Sequence, residues 1–238
     1  MTALLVTGTG TGVGKTVVTA ALASLSVSRG QRCTIVKPAQ TGVPDDAPGD
    51  LADVVRLAGD DLGQVELVRY PDPLSPAAAA RRSGRPPLDP ARAAHAVLTA
   101  QEEADLVLVE GAGGLLVRYD EDGFTMADLA RTLRLPVLVV VEAGLGTLNA
   151  TALTLEAMAH RGLDLLGLVV GAWPDEPGVA ERSNVADLEM LAARPLLGVL
   201  PAGLGSRDRA DFLATARAGL ARSLGGTFDP AEFRRRAS

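Results

Sequence analysis

The sequence predicts one doubly wound, mainly parallel α/β domain with helices on both faces of the sheet. Short apolar runs typical of buried strands alternate with helical segments, and turns containing Gly or Pro follow most of these strands. The apolar run at 106–109 favours a central strand that is covered on both faces. We expect this domain to span residues 1–225, followed by a C-terminal tail at 226–238 whose final arginines, 234–236, are frayed and solvated.

The predicted strands and helices alternate along the chain. Apolar runs predict strands at 4–6, 32–36, 65–70, 105–110, 136–141, 163–170 and 196–200. Helices are expected at 17–25, 51–57, 91–103, 125–133, 147–161, 179–193 and 208–224. A short helix is also expected after Ser75, its predicted cap, because Pro76 suits a first helical turn.

Composition and charge exclude several classes of function. The net charge of −6 and the aromatic content of 3% argue against a surface that binds nucleic acid. The longest apolar run, at 135–141, is too short to cross a bilayer, and no basic leader precedes the first strand. We therefore expect a cytoplasmic protein with neither nucleic-acid nor membrane partners. The single cysteine, Cys33, lies in a predicted strand and is expected to be a buried structural thiol.

The loop at residues 7–16, Thr-Gly-Thr-Gly-Thr-Gly-Val-Gly-Lys-Thr, predicts a phosphate-binding loop between the first strand and the first helix. Its glycines allow backbone N–H groups to converge on an anion, and the helix adds its positive N-terminal end. Lys15 is expected to reach the outer phosphates, and the Thr16 hydroxyl to hold Mg²⁺. The spacing is unusual, because Thr9 stands where the common pattern has its first glycine and Gly8 comes one residue earlier. The fold is therefore expected to be of the P-loop type.

A second lysine is expected at the carboxyl edge of the same sheet. Pro38 cannot donate a hydrogen bond to a sheet ladder, so we expect the second strand to end at Lys37. Ligands of open α/β sheets bind at that edge, which makes Lys37 a candidate for a second functional cation. The turn that follows would present the Thr41 hydroxyl to the same ligand.

Acidic residues near this edge are candidate Mg²⁺ ligands. Glu110 ends the central strand and is followed by glycines that allow a ligand close access to the backbone. The loop after the second strand and the start of the next helix contribute four further candidates, among which the residues alone do not choose: Asp45, Asp46, Asp50 and Asp53. Asp50 is also the predicted N-cap of the helix at 51–57.

With these residues placed, the chain resembles the dethiobiotin synthetase family, ATP-dependent enzymes of biotin synthesis, over nearly its whole length. Three motifs in the same order carry the resemblance: residues 8–16, Lys-Pro-Ala-Gln-Thr-Gly at 37–42, and Glu-Gly-Ala-Gly-Gly at 110–114. The displaced first glycine is itself a trait of this family. The resemblance implies that CO2 is inserted between two amines of 7,8-diaminopelargonic acid, through a carbamate and a carbamic–phosphoric anhydride, with release of nucleoside diphosphate and phosphate. It also implies a homodimer with the substrate pocket at its interface.

The resemblance further implies roles for residues at matching positions. Lys37, Lys15 and Thr11 would be catalytic, and Mg²⁺ would be held by Thr16, Asp50 and Glu110. The residues implied for binding of ATP or another nucleoside triphosphate are Gly12, Val13, Gly14, Lys15, Thr16, Val17, Asp50, Glu110, Gly111, Ala112, Gly113, Gly171, Ala172, Pro201, Ala202 and Gly203. Those implied for the diamine are Lys37, Thr41, Ser75, Pro76, Gly111, Ala112, Leu145, Gly146 and Asn149. The last three would bind the substrate's tail carboxylate from the neighbouring subunit, at a helix N-terminus.

One departure from the family concerns the nucleotide base. Many members have an asparagine that reads adenine after the strand matching 163–170, whereas this chain has Gly-Ala-Trp-Pro at 171–174. Base recognition would then depend on backbone groups. Trp173 would either stack on the base or pack at the root of its loop.

Two other classes of protein share this fold and loop. A cobyrinate amide synthase normally carries a glutaminase domain with a catalytic cysteine, for which we expect no room in 238 residues with one cysteine. An ATPase switch of the ParA/MinD type has a signature lysine where Thr11 stands here. Both differences favour the synthetase.

Overall fold

Seven parallel strands form one sheet in the computed structural model, which describes residues 3–237. The strands are β1 (Ala3–Gly8), β2 (Cys33–Thr41), β3 (Leu62–Tyr70), β4 (Leu106–Gly114), β5 (Val137–Val141), β6 (Leu165–Trp173) and β7 (Gly198–Pro201). Their order across the sheet is β3-β2-β4-β1-β5-β6-β7. β1 therefore has β4 on one side and β5 on the other, so the glycine-rich loop leaves the middle of the sheet.

Helices cover both faces of this sheet. They are α1 (Lys15–Val27), α2 (Asp50–Ala58), α3 (Pro76–Ser83), α4 (Pro90–Glu103), α5 (Met126–Leu133), α6 (Thr147–His160), α7 (Val179–Ala192), α8 (Arg209–Gly219) and α9 (Pro230–Ala237). The predicted helix at 208–224 ends early, at Gly219, and a short 3₁₀ turn at Arg222–Leu224 follows it. Within residues 3–237, no helix has the length and apolar character needed to cross a membrane.

Two apolar cores lie on opposite faces of the sheet. In β4, Val107 and Val109 belong to one core, whereas Leu108 between them belongs to the other. Side chains of α4, α5 and α7 pack into the first core, and side chains of α1, α2 and α8 pack into the second. The prediction of a doubly wound, mainly parallel α/β fold is therefore confirmed.

The predicted end of the second strand at Lys37 is wrong, because β2 continues through Pro38 to Thr41. Pairing of β2 with β4 stops at Val36, whereas pairing with β3 continues to Thr41. Beyond Val36 the strand is bonded along one side only, where a residue without an N–H group is tolerated. Lys37 still lies beyond the last pair of residues that joins β2 to β4. A residue that faces a ligand at this edge of the sheet is expected in such a position.

The glycines after Glu110 extend β4 beyond its predicted end. Val6 of β1 is opposite Glu110, and the next paired residue, Gly8, is opposite Gly114. Over this stretch β4 advances by four residues and β1 by two. The extra residues of β4 bulge away from regular pairing, so some of their backbone groups need partners outside the β1 ladder.

The final arginines, 234–236, lie in helix α9 and are exposed to solvent, so they are solvated as predicted but not frayed. α9 packs against the domain: Arg234 Nη1 lies 3.0 Å from Glu189 Oε2 on α7. The Phe233 ring packs edge-on against Trp173, with 5.0 Å between the ring centroids. Trp173 is therefore a packing residue at the root of its loop, the second of the two roles considered for it. Ser238, the last residue of the predicted tail, lies outside the described residues.

Cys33 is a buried thiol, as predicted. Its side chain lies in the apolar core beneath α1, with 2% of the residue exposed. Burial raises the pKa of Cys33 to about 12, against a smaller opposing effect of its hydrogen bond with Ser26. At neutral pH the sulfur is therefore a protonated, inaccessible thiol, not a nucleophile.

Candidate active site

The glycine-rich loop joins the carboxyl end of β1 to the first residue of α1, as predicted. Gly12 and Gly14 have φ angles of 81° and 96°, which favour glycine at both positions. Gly14 also packs against the end of β6, because a Cβ atom there would lie 2.9 Å from the carbonyl oxygen of Gly171. The Lys15 ammonium donates a hydrogen bond of 2.7 Å to the Gly10 carbonyl, which closes the loop on itself.

A cavity of about 710 Å³ opens beside this loop, a size typical of small-molecule sites. Its walls come from the loop, from the ends of β2 and β4, and from the segment that leads into α3. The lining residues that the sequence predicted are Thr11, Gly12, Gly14, Lys15, Thr16, Val17, Lys37, Thr41, Asp50, Ser75, Pro76, Glu110, Gly111, Ala112 and Gly113. The remaining lining residues are Ala39, Gln40, Pro73, Leu74 and Val117. All three sequence motifs therefore meet in one cavity.

Four side chains of this cavity form one contact network. Lys37 Nζ lies 2.5 Å from Asp50 Oδ2 and 2.7 Å from Glu110 Oε1. The same Glu110 oxygen accepts a hydrogen bond of 2.9 Å from the Thr16 hydroxyl. Lys37 and Glu110 are almost completely buried. Each of these two charges therefore depends on the other for stabilisation, since bulk water does not reach them.

The two lysines of the cavity have different electrostatic environments. Burial alone would lower the pKa of Lys37, but the adjacent Glu110 and Asp50 carboxylates together raise that pKa above its ordinary value. The pKa of Lys15 is lowered to about 8, because burial and repulsion by Lys37 together outweigh attraction by the two carboxylates. Lys37 is thus a permanent cation, whereas an anion bound beside Lys15 would restore its cationic form above pH 8.

Lys15 and Lys37 are the only two lysines in the sequence. Both are buried and both line the cavity, whereas the arginines are mostly at the surface. Buried lysines are rare unless they have a partner. The confinement of lysine to these two positions is a signal in the sequence that motif reasoning does not use.

Asp50 reaches the cavity from the first turn of α2. It is not the predicted N-cap, because Gly49 occupies that position and Asp50 is the first helical residue. The Asp50 N–H donates to Gln40 Oε1 at 2.9 Å, while its carboxylate contacts Lys37. A carboxylate in a first helical turn is also favoured by the helix dipole.

The other three candidate aspartates lie outside the cavity lining. Asp45 and Asp53 each form an ion pair with an arginine, and Asp46 is exposed to solvent. Among the described residues, Asp50 is therefore the one member of this group that the fold brings to the cavity.

Arg69 holds the loop that precedes Asp50, and motif reasoning does not find it. Arg69 on β3 is in register with Gln40 on β2. Its guanidinium donates to the carbonyls of Pro44 and Ala47 at 3.0 Å and 2.7 Å. Nothing in the sequence around a single arginine of a strand indicates that it contacts a loop more than twenty residues earlier.

Two residues implied for nucleotide binding, Val13 of the loop and Gly171 at the end of β6, do not line the cavity. Val13 is buried in the core under α1. Gly171 at the end of β6 packs on the backbone of Val13, and a Cβ atom at Gly171 would overlap the Val13 carbonyl oxygen. In this backbone arrangement, glycine at position 171 allows the end of β6 to pack closely against the loop.

Two further groups of implied residues also lie away from the cavity lining. Ala172 and residues 201–203 are at the carboxyl ends of β6 and β7, where the Ala202 N–H donates to the Trp173 carbonyl at 2.7 Å. Leu145, Gly146 and Asn149 lie at the exposed start of α6, and Leu145 is 91% exposed. Their roles stay predictions.

The first strand of the parallel sheet leads through a Gly-Lys-Thr loop into a helix, and the loop lies beside a cavity with two carboxylates. This arrangement defines a P-loop nucleotide-binding protein. A family model described as an AAA domain matches residues 2–205. Curated relatives include the ATP-dependent dethiobiotin synthetase BioD of Frankia casuarinae, 63% identical over 99% of both chains, and that of Streptomyces avermitilis, 52% identical over 98% of both chains. The chain therefore belongs to the ATP-dependent dethiobiotin synthetase family, and the resemblance based on its motifs is confirmed.

Solved structures share the fold at much lower identity. A ParA-family ATPase from Chlorobium tepidum is similar with a TM-score of 0.58 and 13% identity, over 90% of this chain and 96% of that one. A chain of the MinC:MinD cell division complex of Aquifex aeolicus has a TM-score of 0.58 and 15% identity, over 96% of this chain and 98% of that one. At such identities the likeness shows the fold alone.

Proposed function

We propose that this chain is a dethiobiotin synthetase that closes the ureido ring of dethiobiotin from 7,8-diaminopelargonic acid, CO2 and a nucleoside triphosphate. The observation that carries the proposal is the position of Lys37, a buried cation held by Asp50 and Glu110 in the same cavity as the phosphate-binding loop. A fixed cation beside the outer phosphates suits an acceptor that is itself an anion, such as a carbamate. The relatives' name supports ATP as the co-substrate.

The proposed reaction has three steps. One amine of the diamine adds to CO2 and loses a proton, which gives a carbamate. A carbamate oxygen then attacks the γ-phosphorus of the triphosphate, and the bond to the β–γ bridging oxygen breaks as the diphosphate leaves. The second amine attacks the carbonyl carbon of this anhydride and loses a proton as the C–O bond to phosphate breaks. No step needs a protein nucleophile, so catalysis consists of positioning and charge neutralisation.

Lys15 and Lys37 would neutralise different charges in this reaction. Lys15 would bind the β- and γ-phosphates at the loop, and Lys37 would bind the carbamate and the transferring phosphoryl group. Because the carboxylates keep the pKa of Lys37 high, it would act as a fixed cation and not as a base. Thr11 and Thr41, both in the cavity lining, would contact phosphate and substrate.

The oxygen atoms around Glu110 fit the requirements of Mg²⁺. The Thr16 hydroxyl contacts a Glu110 carboxylate oxygen, and Asp50 contacts the same Lys37 ammonium as Glu110. Hydroxyl and carboxylate oxygens are the hard ligands that Mg²⁺ uses together with substrate phosphates. Thr16, Asp50 and Glu110 would therefore hold the ion, and Lys37 would then share its carboxylate partners with it. Bound Mg²⁺ would supply neutralisation of charge on the phosphates.

The uncharged wall of the cavity would hold the diamine. Ser75 and Pro76 at the start of α3 face the same cavity as Gly111 and Ala112 of β4. Small and apolar residues suit the carbon chain of the substrate. For the nucleotide base, we propose recognition by backbone groups of Ala172 and of residues 201–203, because residues 171–174 offer no side-chain amide.

The exposed face of α6 supports a homodimer with the substrate's tail carboxylate bound across its interface. Leu145 is 91% exposed and Leu153 is 59% exposed, although both are large apolar side chains. A second subunit on this face would cover the leucines. Sedimentation equilibrium should therefore give twice the mass of the chain. A monomer at all concentrations would rule the dimer out. The cytoplasmic location stays a prediction.

Incorporation of labelled bicarbonate tests the proposed function. Protein, diamine, Mg²⁺, labelled bicarbonate and each common nucleoside triphosphate in turn should give labelled dethiobiotin, and the rates should rank the bases. Omission of the diamine is the control and should abolish triphosphate consumption. Hydrolysis that does not depend on the diamine, without label in dethiobiotin for any triphosphate, would instead favour an ATPase switch and overturn the proposal.

A further inference from the structure

Tyr119 is a fully buried residue whose hydroxyl contacts the backbone of the cavity wall. None of its surface is exposed, and its hydroxyl oxygen accepts a hydrogen bond of 2.6 Å from the Ala112 N–H. The same hydroxyl lies 3.4 Å from the Ala112 carbonyl oxygen, to which it donates a weaker hydrogen bond. Burial raises the pKa of Tyr119 to about 12, so the hydroxyl keeps its proton at all working pH values.

The bulge in β4 explains why Ala112 needs such a partner. Between Glu110 and Gly114, β4 has two more residues than the stretch of β1 that it faces. Regular pairing therefore cannot satisfy every backbone group of the segment 111–113. The Tyr119 hydroxyl takes the place of the missing strand partner for one of them.

Fixing the Ala112 N–H also fixes its neighbour in the cavity wall. The peptide bond between Gly111 and Ala112 is planar and trans, so its carbonyl points opposite to its N–H. Holding the Ala112 N–H on the Tyr119 hydroxyl oxygen therefore determines where the Gly111 carbonyl points. Both residues line the cavity, and a fixed carbonyl there can accept a hydrogen bond from an amine.

The backbone around Tyr119 also anchors the start of α3, a second segment that lines the cavity. The carbonyl of Arg118, the preceding residue, accepts a hydrogen bond of 3.1 Å from the Ala77 N–H in the first turn of α3. The Tyr119 N–H donates to the Phe124 carbonyl at 2.8 Å, which fixes this stretch of chain. The segment at 111–113 and the start of α3 are thus both tied to one short element centred on Tyr119.

We propose that Tyr119 is a positioning residue for the diamine: it sets the separation and orientation of the two walls that the diamine occupies. This inference rests on the proposed function, because that function places the diamine between these walls. Tyr119 touches neither substrate nor nucleotide and acts through Ala112 and Arg118. Among the described residues, the hydrogen bonds of the Tyr119 hydroxyl are with Ala112 and not with the phosphate-binding loop, so we expect the binding of phosphates at the loop to be independent of this hydroxyl.

The sequence contains one other tyrosine, Tyr70, which provides a matched control. It is 1% exposed, and its hydroxyl donates a hydrogen bond of 2.8 Å to the Pro86 carbonyl, outside the cavity lining. Tyr119→Phe and Tyr70→Phe each remove one oxygen atom from a buried hydrogen bond. We expect Tyr119→Phe to raise KM for the diamine about tenfold, the effect of leaving one buried backbone group without a partner. We expect KM for the triphosphate to stay within about twofold in both variants.

Amide hydrogen exchange gives a second measurement that does not depend on activity. The segment 111–114 should exchange slowly in the wild type and in Tyr70→Phe, and faster in Tyr119→Phe. Equal diamine KM values in the two variants would overturn the role of Tyr119. Fast exchange of the Ala112 amide in the wild type would also overturn it, and this second result can be obtained even if Tyr119→Phe fails to fold. Absence of diamine-dependent turnover in the wild type would count against the proposed function, while the exchange comparison would still report on Tyr119.

Discussion

Replacing Lys37 with methionine is expected to lower turnover on the order of 10³-fold, the range found when a preorganised group that stabilises transition-state charge is removed. Lys37 is the buried cation that would face the carbamate and the transferring phosphoryl group. Methionine keeps most of the volume and loses the charge. Nucleotide binding should persist, because the loop and Lys15 are untouched and Asp50 and Glu110 remain available to Mg²⁺.

The second lysine provides the matched control for this variant. Lys15→Met removes the other buried lysine of the same cavity, and calorimetry with Mg²⁺ and a non-hydrolysable triphosphate should show a large loss of nucleotide affinity. Lys37→Met should bind that ligand within about threefold of the wild type. Equal loss of nucleotide affinity in both variants would assign Lys37 to phosphate anchoring and not to the chemical step. Both proteins should be compared in the presence of Mg²⁺, because Lys37→Met leaves two carboxylates without a cation, at a cost of about 3–5 kcal/mol in the free protein.

Replacing Glu110 with glutamine is expected to lower kcat on the order of 10²-fold and to raise the Mg²⁺ concentration needed for half-maximal rate. One Glu110 oxygen contacts both the Thr16 hydroxyl and the Lys37 ammonium. The amide has the same shape, but it carries no charge to hold Mg²⁺ or to keep Lys37 in place. Titration of activity with Mg²⁺ at saturating triphosphate measures both effects.

Glu189→Gln is the control for that substitution. Glu189 is also a buried glutamate, 8% exposed, but it lies on α7, pairs with Arg234 and is outside the cavity lining. Its replacement should change thermal stability and leave the Mg²⁺ dependence unchanged. A Glu110→Gln protein with the wild-type Mg²⁺ dependence would remove Glu110 from the metal site.

Much of the fold could be predicted because its signals are local. The apolar run at 106–109 indicates a strand buried on both faces, and the loop at 7–16 has glycines where its backbone needs them. Lys37 could be placed near the site because it follows an apolar strand in an α/β pattern. The contacts of Lys37 with Asp50 and Glu110 could not be predicted, because these contacts join three elements that are distant in sequence.

The errors have a common physical cause in tertiary context. Pro38 would end a strand that is paired on both sides. At Pro38, however, β2 is no longer paired with β4, and the strand continues along β3 alone. The final arginines resemble a solvated tail, yet Phe233 and Arg234 of the same segment find partners on β6 and α7. Tyr119 shows no motif at all, since its importance follows from a bulge between β4 and β1 that the sequence does not reveal.

Transfer of oxygen from CO2 to phosphate tests the proposed chemistry most directly. A carbamate oxygen that attacks the γ-phosphorus stays with the phosphate when the second amine closes the ring. A single turnover with ¹⁸O-labelled CO2, diamine, Mg²⁺ and ATP, analysed by mass spectrometry before the label exchanges with water, should therefore give one ¹⁸O atom in each phosphate released. Dethiobiotin formed together with unlabelled phosphate would contradict a phosphorylated carbamate, and with it the role given to Lys37.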